Sequence, residues 1–174
     1  PTAPLIAATG DDCSVRLYNI ATNETVPFTS FTSGGTCMCW GPENLLTLIV
    51  GFSDGVIRVL HCTETGPVLR AVAKPHTVSV NALAFCSSRN LLATTSNDST
   101  IFLFELKNDQ LIPLSFLRIS SSCSSMLFTP NGSRLIIFET DGTVSFINID
   151  PENDSIKSTG ATFEKEFPIM TICK

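Results

Sequence analysis

Apolar residues along this chain recur at a spacing of two, and the whole pattern returns about every 43 residues. Four segments align: ATGDDCSVRLYN (8–19), VGFSDGVIRVLH (50–61), TTSNDSTIFLFE (94–105) and IFETDGTVSFIN (137–148). Each centres on an aspartate, namely Asp12, Asp54, Asp98 and Asp141. Six residues before it stands Ile6, Leu48, Leu92 or Leu135, and three after it Val15, Ile57, Ile101 or Val144. Five after it comes Leu17, Val59, Leu103 or Phe146. A step of two keeps side chains on one face of a strand, whereas a helix would need steps of three and four. The residue after each aspartate is Gly or small (Cys13, Gly55, Ser99, Gly142), as a tight turn requires. Each unit therefore predicts a strand, a turn headed by Asp, and a second strand. The Asp carboxylate is placed to accept backbone N–H groups of its own turn.

Two more strands flank each hairpin. The preceding one ends at Trp40, Phe85, Phe128 or Ile172, with Met38, Leu83, Met126 or Met170 two residues earlier. The following one is less periodic, near 25–31, 67–73, 111–118 and 156–163, as an outer edge strand would be. No long helical pattern appears. Four strands per unit of about 43 residues is the arithmetic of a β-propeller blade. Ile101, Phe102, Leu103 and Phe104 leave no polar side on their strand, which suits a sheet pressed between two others and not a sheet with one wet face. The expected fold is all-β: a partial arc of about four blades of four-stranded antiparallel sheet. The expected boundaries are a partial blade over 1–34, blades over 35–75, 76–118 and 119–163, and the first strand of a next blade over 164–174. The incomplete first and last units predict an arc of a larger ring. The rival is a four-bladed ring closed by the C-terminal strand.

At these residues the chain resembles the WD40-repeat family. The third unit carries the likeness best: His76 lies 22 residues before Asp98, followed by Val80, Leu83 and Phe85, then LLATTSND and STIFLFE. The order is similar to the family's Gly-His, strand, Ser-x-Asp, strand, Trp-Asp. The resemblance implies a hydrogen-bonded tetrad of His, a strand Ser or Thr, the turn Asp and a Trp. Here that means His76, Ser96 and Asp98, with Phe104 at the Trp position. The other units hold Phe31, Ile119 or Phe163 for the His, so they are expected to rely on apolar packing. The stretches KPHTVSVNALAF, LLATTSNDSTIFLFEL and DGTVSFINIDPEN are also similar to the large WD-repeat proteins of cilia and flagella.

Composition narrows the function classes. A net charge of −5 argues against nucleic acid as a partner. The longest apolar run, Leu45 to Phe52, is about half the length of a membrane-spanning helix. The seven cysteines include no CxxC pair and read as small buried residues in a reducing compartment, hence a cytoplasmic setting. No metal, cofactor or small-molecule substrate is expected. His61 and His76 keep no ligand spacing with Cys or carboxylate. The four aspartates recur once per unit, which fits turn anchors (with His76 and Ser96) and not convergent catalytic groups. The SSSCSS run (120–125) reads as a polar connection with no adjacent base, Cys123 and Met126 pointing inward. Arg16 and Arg58 share one register and are the candidate stripe for an acidic partner. The resemblance implies a non-catalytic scaffold or protein-interaction subunit of a larger assembly, in an axonemal complex of the cilium or flagellum. The alternatives are a coat or trafficking subunit and, from a different class, a propeller enzyme with a site in its central channel.

Overall fold

A computed structural model describes residues 4–42, 46–63, 65–150 and 156–163. The expectation of a strand over 164–174 lies outside the described residues, as does the start of the 1–34 segment. Fifteen strands and no helix are found among the described residues. The first sheet has three strands, β1 (Leu5–Thr9), β2 (Ser14–Asn19) and β3 (Glu24–Ser30). The second has β4 (Gly35–Trp40), β5 (Thr47–Phe52), β6 (Ile57–Thr63) and β7 (Gly66–Ala73). The third has β8 (Val80–Cys86), β9 (Leu91–Ser96), β10 (Thr100–Lys107) and β11 (Gln110–Arg118). The fourth has β12 (Cys123–Phe128), β13 (Arg134–Glu139), β14 (Val144–Ile149) and β15 (Ile156–Phe163). Every neighbouring pair is antiparallel and consecutive in sequence, the meander of a partial WD40-type propeller. Among the described residues no helix is long and apolar enough to cross a membrane.

The unbroken apolar runs are explained by three separate cores, one between each pair of adjacent sheets. Alternate residues of a strand feed opposite cores. On β5, Leu48, Val50 and Phe52 pack with Val15 and Leu17 of the first sheet. Ile49, between them, packs with Val80, Leu92 and Phe104 of the third. On the third sheet, Leu91, Ala93, Ile101 and Leu103 turn the other way, toward Cys123, Leu135 and Ile137 of the fourth. The inner strands β4, β8 and β12 lie side by side, so the sheets meet face to face about a common centre. This is radial stacking, in which each middle blade has no wet face.

The Asp-headed turns are alike in all four sheets. A backbone N–H two residues on donates to Asp12 (3.2 Å), Asp54 (3.1 Å), Asp98 (3.1 Å) and Asp141 (2.9 Å). The residue just after the aspartate has a left-handed φ each time: Cys13 (60°), Gly55 (79°), Ser99 (57°) and Gly142 (91°). Gly55 has a second reason to lack a side chain. A Cβ there would stand 2.3 Å from the His76 carbonyl oxygen, because this turn presses on the backbone entering the next blade.

Candidate functional site

The inner strands present an apolar wall. A cleft of about 470 Å³ is lined by Met38 and Trp40 of β4, Leu83 and Phe85 of β8, and Met126 and Phe128 of β12. No histidine or carboxylate lines it, and Cys39 is its one titratable residue. Among the described residues no three His, Cys, Asp or Glu side chains gather as a metal site.

Polar side chains converge instead at the top corner of the third sheet. His76, 1% exposed, sits where the chain enters that sheet. Its Nε2 meets the Thr94 hydroxyl at 3.0 Å, and its Nδ1 meets the Thr100 hydroxyl at 3.0 Å and Asp98 Oδ1 at 3.4 Å. Thr100 donates its hydroxyl hydrogen to Asp98, so it accepts from Nδ1–H, and Nε2 accepts from Thr94. The Thr77 N–H closes the far side of Asp98 at 3.2 Å. Burial lowers the His76 pKa, and the Asp98 carboxylate opposes that only in part. For Asp98, burial works upward, but the Thr100 hydroxyl, the Thr77 amide and His76 together hold the carboxyl below its ordinary value.

Two features differ from the expected tetrad. Ser96 is not the hydrogen-bond partner of His76: its hydroxyl donates to the Val78 carbonyl (3.2 Å) and accepts from the Asp98 N–H (3.3 Å). The strand hydroxyl that meets the imidazole is Thr94, two residues earlier on the same face of β9. The aromatic at the imidazole is Phe102, edge-on with centroids 5.2 Å apart, and not Phe104. Phe104 lies in the core between the second and third sheets.

Comparison with known proteins fits this corner. The family described as "WD domain, G-beta repeat" matches residues 68–105, which run from β7 through the His76–Asp98 corner into β10. The chain carries a WD40 repeat. It is 31% identical over 149 residues to mouse "Cilia- and flagella-associated protein 44", covering 75% of this chain and 8% of that protein. It is 23% identical to "Histone acetyltransferase type B subunit 2" of Candida albicans, covering 84% and 39%. It is 27% identical to mouse "WD repeat-containing protein 90", covering 55% and 5%. The chain thus spans well under half the length of these relatives.

The neighbouring WD40 corners are filled differently. In the second sheet Phe31 packs edge-on against Phe52 (5.1 Å), and the Arg58 guanidinium lies over both rings, 4.2 Å from Phe52 and 5.0 Å from Phe31. Arg58 reaches Asp54 only at 3.8 Å, and its Nη1 is buried without a hydrogen bond. Its side chain is 12% exposed, whereas Arg16 is 50% exposed and paired with Asp12 at 2.6 Å. The expected common stripe of Arg16 and Arg58 is therefore not formed, because two aromatic rings hold Arg58 inside. Asp12 is held below the usual carboxylate range by the Ser14 hydroxyl first, then the Ser14 amide and Arg16.

In the fourth sheet the corner belongs to Glu139, a residue sequence reasoning passed over. It is 2% exposed, and its hydrogen-bond partners are serine hydroxyls and one backbone amide. Ser120 Oγ (2.9 Å), Ser121 N (3.0 Å) and Ser121 Oγ (3.0 Å) donate to one carboxylate oxygen, and Ser145 Oγ (2.7 Å) to the other. The SSSCSS run thus does have an adjacent carboxylate, and this blade rests on a buried polar network where apolar packing was expected. Cys123 and Met126 are buried beneath it. One signal was available: Glu139 stands two residues before Asp141, where Ser96 and Phe52 stand in the other units. His61 lies opposite Thr47 on β6, half-buried and remote from every corner. The six described cysteines are free, and burial pushes Cys37 and Cys123 up to about 12 and Cys62 to about 11.

Proposed function

We propose that this chain is part of a non-catalytic interaction platform, a rigid propeller arc whose loops and rims bind other proteins of an assembly. The observation that carries the reading is the apolar inner wall. Propeller catalysis draws on polar groups converging at the centre, and here eight apolar side chains and Cys39 line that space. The polar groups that do converge face one another within single blades. Asp12, Asp54, Asp98 and Asp141, with His76 and Ser96, serve as turn anchors: each carboxylate is engaged by its own turn. Rigid blades with variable loops suit recognition. The likeness to a protein named for cilia and flagella supports an axonemal assembly. Free thiols, with Cys37, Cys62 and Cys123 pushed up by burial, suit a reducing cytoplasm.

The test is purification of the full-length protein from ciliated cells with chemical cross-linking, alongside imaging. The expected result is stoichiometric recovery with axonemal proteins and signal along the cilium. Recovery with vesicle coat subunits alone would overturn the axonemal setting. A stoichiometric metal with substrate turnover would overturn the platform.

A further inference from the structure

The outer strands of the two middle blades end in the same way. β7 runs out through Val72 and Ala73 into Lys74, and β11 through Phe116 and Leu117 to Arg118. Val72 lies opposite Arg58, and Phe116 opposite Phe102. Arg58 and Phe102 each stand four residues after the turn aspartate, so Val72 and Phe116 are equivalent positions one blade apart. Both are exposed, Val72 at 56% and Phe116 at 63%, the latter the most exposed large apolar residue described. Lys74 and Arg118 follow two residues later and are also exposed. The other blades lack the full device: in the fourth Thr162 holds the place opposite Ser145, and in the first Ser30, opposite Ser14, holds the place of the cation.

These elements border successive seams: Arg58, opposite Val72, covers Phe31 and Phe52 between the first and second sheets, whereas Phe102, opposite Phe116, packs against the core between the second and third. The Phe116 ring stacks on Phe102 (centroids 5.7 Å apart), and Phe102 in turn meets His76 edge-on. Lys74 is two residues before His76, hence within about 7 Å of it along the backbone. β7 and β11 also touch directly. The cation of the second blade therefore stands on the segment that enters the corner beside the exposed ring of the third. The charge of this rim is unbalanced: among the described residues Arg70, Lys74 and Arg118 make no ion pair, while Asp98 is engaged by Thr77, Thr100 and His76, and Asp54 by its own turn and Arg58. On a chain of net charge −5 this is a local basic rim around an apolar anchor point.

We infer that the rim of the second and third blades docks an acidic, apolar-anchored segment of a protein partner. Its apolar side chains cover Phe116 and Val72, and its carboxylates meet Lys74 and Arg118. Aromatic anchors supply contact area with little conformational freedom to lose, and rim charges select the partner's sign. This deepens the platform reading and rests on it.

The test is fluorescence anisotropy with the full-length protein and a labelled 18-residue synthetic peptide of Leu and Glu patterned as an amphipathic helix. Binding is expected, weakening with salt, and falling about tenfold or more in the double variant Lys74→Glu, Arg118→Glu and in Phe116→Ser. The charge variant leaves the Phe116–Phe102 stack in place, so it carries the result even if Phe116→Ser disturbs folding. The site is overturned if the wild type ignores the peptide, or if the charge variant binds it equally. It is equally overturned if a Ser-for-Leu peptide binds as well, or if a single-stranded oligonucleotide binds instead. Those results leave the platform reading standing, because that reading is judged by co-purification of the whole assembly.

Discussion

The third and fourth blades close the same corner with opposite chemistry. In the third, a neutral imidazole bridges two threonine hydroxyls and leans on an aspartate that is itself held by its turn. In the fourth, a buried carboxylate takes that place and gathers three serines around it. The second blade uses neither and inserts a guanidinium over two phenylalanines. What the blade requires is that every buried donor and acceptor at the junction of the entering loop and the Asp turn be paired or replaced by packing. Which residues do so is free to change, provided the partners change together. The comparison can be pressed by substitutions that remove one member at a time.

The largest effect is expected at Glu139. Glu139→Ala would strand two serine hydroxyls, a backbone N–H and the Ser145 hydroxyl in a buried site. A loss of about 3 kcal/mol is expected in urea unfolding. Glu139→Gln keeps shape and one acceptor oxygen, and should lose about half as much. If Glu139→Ala were neutral, the fourth corner would not be the counterpart of the third.

Gly55→Ala tests how closely one blade's turn bears on the next. The added methyl meets the His76 carbonyl oxygen at 2.3 Å and requires a left-handed residue with a side chain. A loss of about 2 kcal/mol is expected by thermal unfolding. The equivalent Gly142→Ala should lose less if the strain of φ alone is at work.

The repeat was legible because turn chemistry and strand parity are local. The aspartates, the small residue after each, and the step of two between apolar positions all act within a few residues of one another. The four sheets follow from them with strand limits close to those expected. The corners were only partly legible, because they join the entering loop to a strand about 20 residues later. Choosing Ser96 over Thr94 as the imidazole's partner needs knowledge of which hydroxyl the ring faces. Both sit on one face of β9, and only the path of the entering loop decides between them. Glu139 was passed over because the three serines that engage it come from two other elements, which only the fold brings together. Arg58 looked like a surface cation because its two aromatic partners, Phe31 and Phe52, are 27 and 6 residues away in sequence.

Transplanting the second blade's residue into the third sharpens the contrast further. His76→Phe would leave the Thr94 hydroxyl without its acceptor, and a loss of about 1–2 kcal/mol is expected. Thr94→Val in the same chain should restore part of it, since the unpaired hydroxyl is then gone. The pH profile separates this corner from plain packing. The folded protein holds His76 neutral, with its pKa below the ordinary 6.5. The unfolded chain therefore binds the extra proton first as pH falls below about 6.5, and stability declines there. The depressed Asp98 carboxyl adds a second decline below its ordinary 3.8. The unfolding midpoint of the wild type should fall through the first window, while His76→Phe should show a flatter profile across it.

The smallest effect is expected at Arg58, and its sign is informative. The guanidinium gains from two ring faces but leaves Nη1 buried and unpaired, with Asp54 too distant for a strong ion pair. Arg58→Met keeps the long stem against Phe31 and Phe52 and removes the unpaired donor. The two terms nearly cancel, since a partly desolvated cation over a ring is worth about 1 kcal/mol and an unsatisfied buried donor costs about as much. Chemical denaturation should therefore show a change within about 0.5 kcal/mol. A loss comparable to that of Glu139→Ala would mean that the second corner depends on its charge as strictly as the fourth, and that packing alone cannot replace a polar corner in this arc.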